Sequence, residues 1–440
     1  MDQRTSGAIG YSGREEAHAR PRVVIIGGGF AGAAAAKGLR HAKVDVLVID
    51  RRNHQIFQPL LYQVATAVLA PSDVAAPLRQ LASAQTNVQV ELAEVTAIDT
   101  RGRKIKARLP NGEVVDVPFD FLVIAAGVAP SYYGHNEFAV NAPGLKTLTD
   151  AVAIRSKILE SYELAELTND PDERRRLMTF VLVGAGPTGV ELAATIAQMA
   201  QVTLRRNFRH IRPEETKVVL VEGGPRILPS FDETLAAAAQ RRLKRLGVSV
   251  RTGAIVQAVD ADGVVAGGER LRAATVLWTA GVAASPLSAL ANGPIDRAGR
   301  AVVGPGLETA PGSRIFVIGD AANVTQDGKP APGVAQAALQ QGAYAARAIR
   351  ACIEGRAAPG PFRYHDLGSM AVVGKNFALL QAPHLKLSGC LAWLVWVFIH
   401  TATLPRPQNR LRVGVQWLWS YFTGQRSSRL IAEPPSTSRL

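Results

Sequence analysis

Two short glycine clusters are the residues of this chain best placed to do chemistry. The first is Gly27, Gly29 and Gly32 in GGGFAG, directly after the apolar run RVVIIG. The second is Gly184, Gly186 and Gly189 in GAGPTG, after the equally apolar MTFVLVGAG. Glycine is required where a strand turns sharply into a helix and where backbone must touch a pyrophosphate, and the helix N-terminus then stabilises that anion. Each cluster is followed by an acidic residue at the end of the next expected strand, Asp50 in VDVLVID and Glu222 in KVVLVEGG. From that position a carboxylate accepts a hydrogen bond from a ribose hydroxyl. At position 222 it also repels a 2'-phosphate, so the second site favours NADH over NADPH, although Arg226 stands close enough to weaken the preference.

Two dinucleotide sites in one chain imply a redox relay, because a nicotinamide and a flavin must meet for hydride transfer. The later run IFVIGDAA fits a flavin at the first site, since Asp320 follows a strand and Gly319 and so suits a ribityl or phosphate-linked hydroxyl. On its own Asp320 would read as a helix N-cap. Glu191 falls in the expected first turn of the helix after the second cluster, where the helix dipole stabilises a carboxylate. Gln336 and Gln340 stand four apart in GVAQAALQQG, on one face of an alanine-rich helix. Spacing alone makes them a solvated face.

The elements that must position these residues are legible. The run FAGAAAAKGLRHA, free of proline, should be the crossover helix of a βαβ unit, and the middle of the chain repeats the pattern with a helix starting PTGVELAATIAQMA. The charged stretch RRNFRHIRPEET, 205–216, lengthens the second connection. Further strands are expected in 119–127, 273–281 and 313–320, and an antiparallel hairpin turned by Asn111 and Gly112. After about residue 385 the composition shifts to GCLAWLVWVFIH and then NRLRVGVQWLWSYFTGQR, neither of which resembles a nucleotide-binding element.

A chain of 440 residues exceeds one domain of about 150 and predicts two or three. Apolar residues at 47% and charged residues at 20% mark a globular chain, apart from its ends. Residues 1–20 read as a loose tail. Neither a secretory signal nor a run of about 18 apolar residues occurs, so the body is expected in the cytoplasm. The net charge of +14 favours anionic partners, nucleic acid or an anionic membrane leaflet. Cys352 and Cys390, far apart and outside any C-x-x-C, indicate neither a disulfide framework nor a thiol zinc site. No metal-spaced His/Cys/Glu set, Ser/His/Asp triad or nucleic-acid-reading motif is present.

Taken together, these motifs resemble those of the type II, non-proton-pumping NADH:quinone oxidoreductases of the two-dinucleotide-binding-domain flavoproteins. The resemblance runs from about residue 22 to 432 and includes FQPLLYQVAT, LVIAAG, APGLKTLTD, LWTAGVAASP, VIGDAA and AQAALQQ. It implies an α/β fold of two Rossmann-type domains, an FAD domain (21–150 and 299–385) split by an inserted NADH domain (151–298). A C-terminal amphipathic helical region, 386–440, would hold the chain on the membrane. Gly27, Gly29, Gly32, Asp50, Gly127, Gly319 and Asp320 would bind FAD, and Gly184, Gly186, Gly189 and Glu222 would bind NADH. Glu191 would lie beside nicotinamide and flavin. Gln336 and Gln340 match the AQ-x-A-x-Q signature at the flavin edge and quinone pocket, whereas Lys375 matches no fixed position. The substrate implied is a membrane quinone, reached from the cytoplasmic face. The absent cysteine pair argues against disulfide reductases and sulfide:quinone oxidoreductases. A reductase of a soluble ferredoxin- or rubredoxin-type carrier, or a low-turnover NADH sensor, are the alternatives.

The C-terminal region also reads as an anchor from its residues. An apolar helix of ten to thirteen residues reaches roughly 20 Å, short of a hydrocarbon core of about 30 Å. Its companion sets Leu411, Val415, Leu418 and Phe422 at helical spacing. Trp417, Trp419 and Tyr421 suit the headgroup level, and Arg410, Arg412 and Arg426 suit anionic lipid. Packing on the body or a homodimer interface are the competing roles. Truncation after about Leu387 is expected to leave turnover with soluble quinone analogues intact.

Overall fold

The structure, a computed structural model, describes residues 20–432, so the expected tail lies outside the described residues except for Arg20. Contacts divide the described chain into two compact units. The first holds 20–55, Pro77–Val128 and Ala284–His365; the second holds Ile56–Ala76, Ala129–Ala283 and 366–432. These divisions fall earlier than the boundaries expected after 150, 298 and 385. The reason is local packing. Trp278 of the second unit donates its indole N–H to Ser131 O at 2.8 Å and packs against Tyr132 and Phe138, which draws 129–150 into that unit. Likewise, strand Ser369–Val372 meets Glu191, and Asn409 reaches back to the carbonyls of Ser72, Asp73 and Ala75.

The first unit is built on a five-stranded parallel sheet in the order Ile315–Val317, Phe121–Ile124, Arg22–Ile26, Asp45–Asp50, Val88–Leu92. Its central strands are buried on both faces, which is why they read as unbroken apolar runs. Helix Phe30–Gly38 packs on helix Ala335–Ile353 through small residues. A Cβ at Gly342 would stand 2.2 Å from Ala31 O, and one at Gly38 would stand 2.5 Å from Ala346 Cβ, so the two backbones come close only because side chains are missing. The expected hairpin forms from Lys104–Arg108 and Val114–Pro118, with Gly112 at φ +87° in its turn.

The second unit repeats this plan. Its four-stranded parallel sheet runs Val248–Arg251, Lys217–Val221, Thr179–Val183, Thr275–Trp278. In both units the strand before the glycines lies between the strand that ends in the acidic residue and a returning strand. Even the hydrogen bonds correspond: Gly27 N–H donates to Ile49 O and Gly184 N–H to Val221 O, each at 2.8 Å. The unit ends in a three-stranded antiparallel sheet, residues 369–389, and helices Cys390–Thr403 and Pro407–Thr423. Among the described residues no helix is long and apolar enough to cross a membrane.

Candidate functional site

The three glycines of each loop have three different surroundings, and the two loops agree position by position. Gly27 and Gly184 have φ of +101° and +98°, and a Cβ there would meet Ala125 O at 2.4 Å or Ala280 at 2.6 Å. Gly32 and Gly189 lie against the turn itself, where a Cβ would fall 1.8 Å from Gly27 O and 2.0 Å from Gly184 O. Gly29 and Gly186, the N-cap residues of helices Phe30–Gly38 and Pro187–Gln198, have nothing within 4 Å of a built Cβ. The first glycine makes the turn, the third lets helix and strand touch, and the second leaves open space over a helix N-terminus. That space fits a pyrophosphate.

The acidic residues brace these loops. Asp50 accepts from Gly28 N–H on one oxygen at 2.7 Å and from Arg52 N–H on the other at 2.8 Å. Glu222 does the same with Ala185 N–H at 2.7 Å and Gly224 N–H at 2.8 Å. Each carboxylate keeps further lone pairs for a ribose hydroxyl. Arg226 is committed to the carbonyls of Leu228, Pro229 and Phe231, which removes it as a ready partner for a 2'-phosphate.

Elsewhere in the first unit, Gly319 adopts φ +71° before Asp320, and Gly127, at φ +66°, has open space around it. The N–H of Gly319 donates to Gln341 Oε1 at 2.6 Å, and Gln341 is 2% exposed. This neighbour of the expected pair holds the Gly319–Asp320 turn, a role hidden in the motif AQAALQQ because adjacent helical residues face different ways. Gln336 is half-buried. Gln340 is tied to the His365 backbone both ways, its amide donating to His365 O and its Oε1 accepting from His365 N–H, each at 2.9 Å.

Glu191 departs from its expected setting. It lies in the second turn of helix Pro187–Gln198, whose first turn holds no acidic residue, so the helix dipole is not what governs it. It is buried, and burial pushes its carboxyl up to about 8, offset in part by the hydrogen bond it accepts from Val372 N–H at 3.3 Å. Once ionised it would raise Tyr62 further, a hydroxyl that burial already lifts well above its ordinary value.

Tyr62 opens onto an aromatic cavity of about 200 Å³ within the second unit. Trp393, Trp396, Trp417 and Tyr421 line it, together with Tyr62, Gln63, Thr195, Val372, Lys375 and Arg426. A short relay organises the polar part: Trp417 Nε1–H donates to Gln63 Oε1 at 2.7 Å, and Gln63 Nε2–H donates to Tyr62 Oη at 3.1 Å. Lys375 places its ammonium 3.9 Å from the centre of the Tyr421 ring and bonds the Tyr421 carbonyl. All lining residues belong to the second unit, whereas Gln336 and Gln340 belong to the first.

This arrangement corrects the expected roles of three C-terminal residues. Leu411, Val415, Leu418, Trp419 and Phe422 are exposed, as an outward face requires, and Leu391, Leu394 and Phe398 extend it on the preceding helix. Trp417 and Tyr421, one turn apart, lie on the other face and line the cavity rather than a headgroup layer. Arg426 is buried, out of reach of lipid. The C-terminal helices are therefore cavity wall as well as surface, and truncation after Leu387 would remove that wall together with any anchor.

The raised carboxyl of Glu191 gives a stability prediction. A folded-state value of about 8 against an ordinary 4.5 means the folded chain holds a proton the unfolded chain has lost, so this group's contribution falls as pH rises between them. Thermal unfolding of wild type and Glu191→Gln should therefore diverge, with the variant gaining relative to wild type from pH 5 to 8. Parallel curves would show that the carboxyl ionises normally.

A family model described as pyridine nucleotide-disulphide oxidoreductase matches residues 21–342. The chain is 42% identical over 434 residues to the type II NADH:quinone oxidoreductase NdhA of Mycobacterium tuberculosis, covering 96% of this chain and 91% of that protein. To the demethylphylloquinone reductase NdbB of Synechocystis it is 31% identical over 414 residues, covering 91% and 96%. Its fold is similar to that of NDH2 from Plasmodium falciparum in complex with NADH, with TM-score 0.84 at 19% identity over 94% of this chain and 100% of that one. The chain belongs to the type II NADH:quinone oxidoreductases, within the pyridine nucleotide-disulphide oxidoreductase family.

Proposed function

We propose that this chain oxidises NADH and reduces a membrane quinone, NADH + H⁺ + quinone giving NAD⁺ + quinol, without pumping protons. The observation that carries this reading is the duplicated loop, with open space at Gly29 and at Gly186 over a helix N-terminus and a carboxylate bracing each turn. Gly27, Gly29, Gly32, Asp50, Gly127, Gly319 and Asp320 would hold FAD; Gly184, Gly186, Gly189 and Glu222 would hold NADH. FAD, when bound, supplies the two-electron chemistry between coenzyme and quinone. The protein's own contribution is alignment and proton control. Glu191, with its carboxyl near 8, keeps a proton at neutral pH beside Val372 and Tyr62, two residues of the cavity wall. The flat aromatic walls and the Tyr62, Gln63 and Trp417 relay suit a planar ring with polar edges, so we assign the quinone headgroup to this cavity. Gln336 and Gln340 would then act by shaping the flavin side, Gln340 by fixing the chain at His365.

The outward face of the two C-terminal helices, flanked by Arg410 and Arg412, would lie in the headgroup layer of an anionic leaflet. The NADH supply sets the cytoplasmic face as its side. A second copy of the chain on that apolar face is the competing occupant.

Anaerobic mixing tests the redox reading. NADH should bleach the flavin of the holoenzyme, NADPH should do so more slowly, and a quinone should restore the colour; bleaching without reoxidation by any quinone would reject the acceptor. The membrane reading is tested with Leu418→Glu/Phe422→Glu, two exposed positions. The variant should keep turnover with a short-chain quinone and lose cosedimentation with anionic vesicles. Undiminished cosedimentation, or conversion of a dimer to a monomer with vesicle binding intact, would reject it.

A further inference from the structure

Arg426 is buried away from lipid, and its hydrogen bonds explain its place but not its charge. It lies two residues beyond Gly424, the left-handed cap of helix Pro407–Thr423, and is 7% exposed in the wall of the aromatic cavity. Its Nη1 donates to Thr66 O at 2.8 Å and its Nη2 to Thr195 O at 3.0 Å. Among the described residues no carboxylate bears on it: the groups that do are the hydroxyls of Tyr162 and Tyr62, which burial keeps protonated, and Arg429, another cation. Burial pulls the guanidinium down to about 9, which still leaves it charged at neutral pH.

A buried cation with no counter-charge among the described residues is costly, and an apolar residue of similar size would be the cheaper filling. Two carbonyls satisfy two of the five N–H groups of a guanidinium but supply no charge. The missing negative charge is one that a bound molecule can bring. An acceptor of the quinone class brings it only while reacting: between arrival of electrons and protonation, a carbonyl oxygen becomes an anion. A fixed cation at that oxygen is stronger in the reacting state than in the resting one, which is the condition for catalysis.

We propose that Arg426 is a catalytic residue of the acceptor half-reaction, its guanidinium facing a quinone carbonyl oxygen and stabilising the negative charge that develops there. This rests on the assignment of the quinone headgroup to the cavity. In the step, the quinone gains two electrons that originate in NADH and two protons, one equivalent to the hydride's and one from solvent. Both C=O groups become C–OH, and Arg426 keeps all of its protons throughout. The two carbonyls hold the fork in place, so the charge needs no reorganisation when the oxygen becomes negative. Because Thr66 and Thr195 follow Tyr62 and Glu191 by one helical turn each, the same fork registers those side chains against the cavity.

The test compares two probes of nearly equal size, 1,4-naphthoquinone, which is neutral, and 2-hydroxy-1,4-naphthoquinone, which is an anion at neutral pH. Binding to the oxidised holoenzyme is followed by calorimetry. The wild type should bind the anion more tightly. Arg426→Gln should weaken the anion by about tenfold or more and the neutral quinone by less than about threefold, as expected for loss of one charge-assisted contact. Flavin content and the rate of bleaching by NADH should be unchanged, with the loss confined to kcat for quinone. Arg426→Lys, which keeps the charge without the fork, should retain the preference for the anion even where turnover falls. Equal affinities in the wild type would overturn the proposal without recourse to any variant. An equal loss of both probes in Arg426→Gln would reduce Arg426 to a clip for the C-terminal segment. Ser420→Trp, which fills the cavity, should abolish binding of both; if both still bind, the acceptor lies elsewhere and the underlying assignment fails.

Discussion

Both nucleotide loops depend on one hydrogen bond apiece, donated by a backbone N–H inside the glycine turn to a carboxylate at the end of the second strand. Asp50 reaches Gly28 and Glu222 reaches Ala185, each at 2.7 Å. The turn needs such a brace, since glycines free to adopt φ near +100° lose much conformational entropy on ordering. Without it, a turn with open space at its centre would have little to fix its shape. The bond also ties coenzyme choice to loop geometry: the oxygen that meets a ribose belongs to the group that shapes the phosphate cradle. The two halves of the chain solve this with different acids and connections of different length. The constraint itself is the same.

The C-terminal helices show a second constraint, that of serving two environments at once. At 14 and 17 residues they are short of a bilayer, and each has an inner and an outer face. Ala392, Trp396, Asn409 and Val413 are buried, and Asn409 holds the second helix to three carbonyls of the Ser72–Ala75 segment. Trp396 stacks on His400 within its own helix and packs, tilted, against Trp417 of the next, its ring centre 5.1 Å away, which holds the two helices together. The faces left over are apolar and exposed. One element thus forms both the wall of the cavity and the surface through which a lipid-soluble quinone would arrive.

Much of this was legible in the sequence. Strand runs, glycine spacing and terminal acids are local patterns with local causes, so the two sheets and both loops could be placed from them. The outward face of the last helix was legible too, since Leu411, Val415, Leu418 and Phe422 follow helical periodicity. What could not be read were properties set by distant packing. Arg426 reads like the lipid-facing arginines beside it, because composition does not distinguish a buried arginine from an exposed one. Trp417 and Tyr421 carry the amphipathic rings expected at a membrane surface, yet one turn of helix puts them inside. Glu191 sits near a helix start, and its neighbours there include Val372, far along the chain, which no local pattern brings to it. Tyr62 and Gln63 lay within FQPLLYQVAT, whose pattern marked the segment without revealing which side chains face a cavity.

A quinone ring that enters the cavity built partly by the C-terminal helices would stand against their aromatic side chains. Photolabelling tests it most directly. An azido-quinone that supports turnover should be irradiated on the holoenzyme in the dark-adapted oxidised state and the labelled peptides mapped by mass spectrometry, with competition by unlabelled quinone. Competed label is expected on peptides containing Trp393, Trp396, Trp417 or Tyr421. Competed label found only outside residues 390–426 and 62–63 would contradict it.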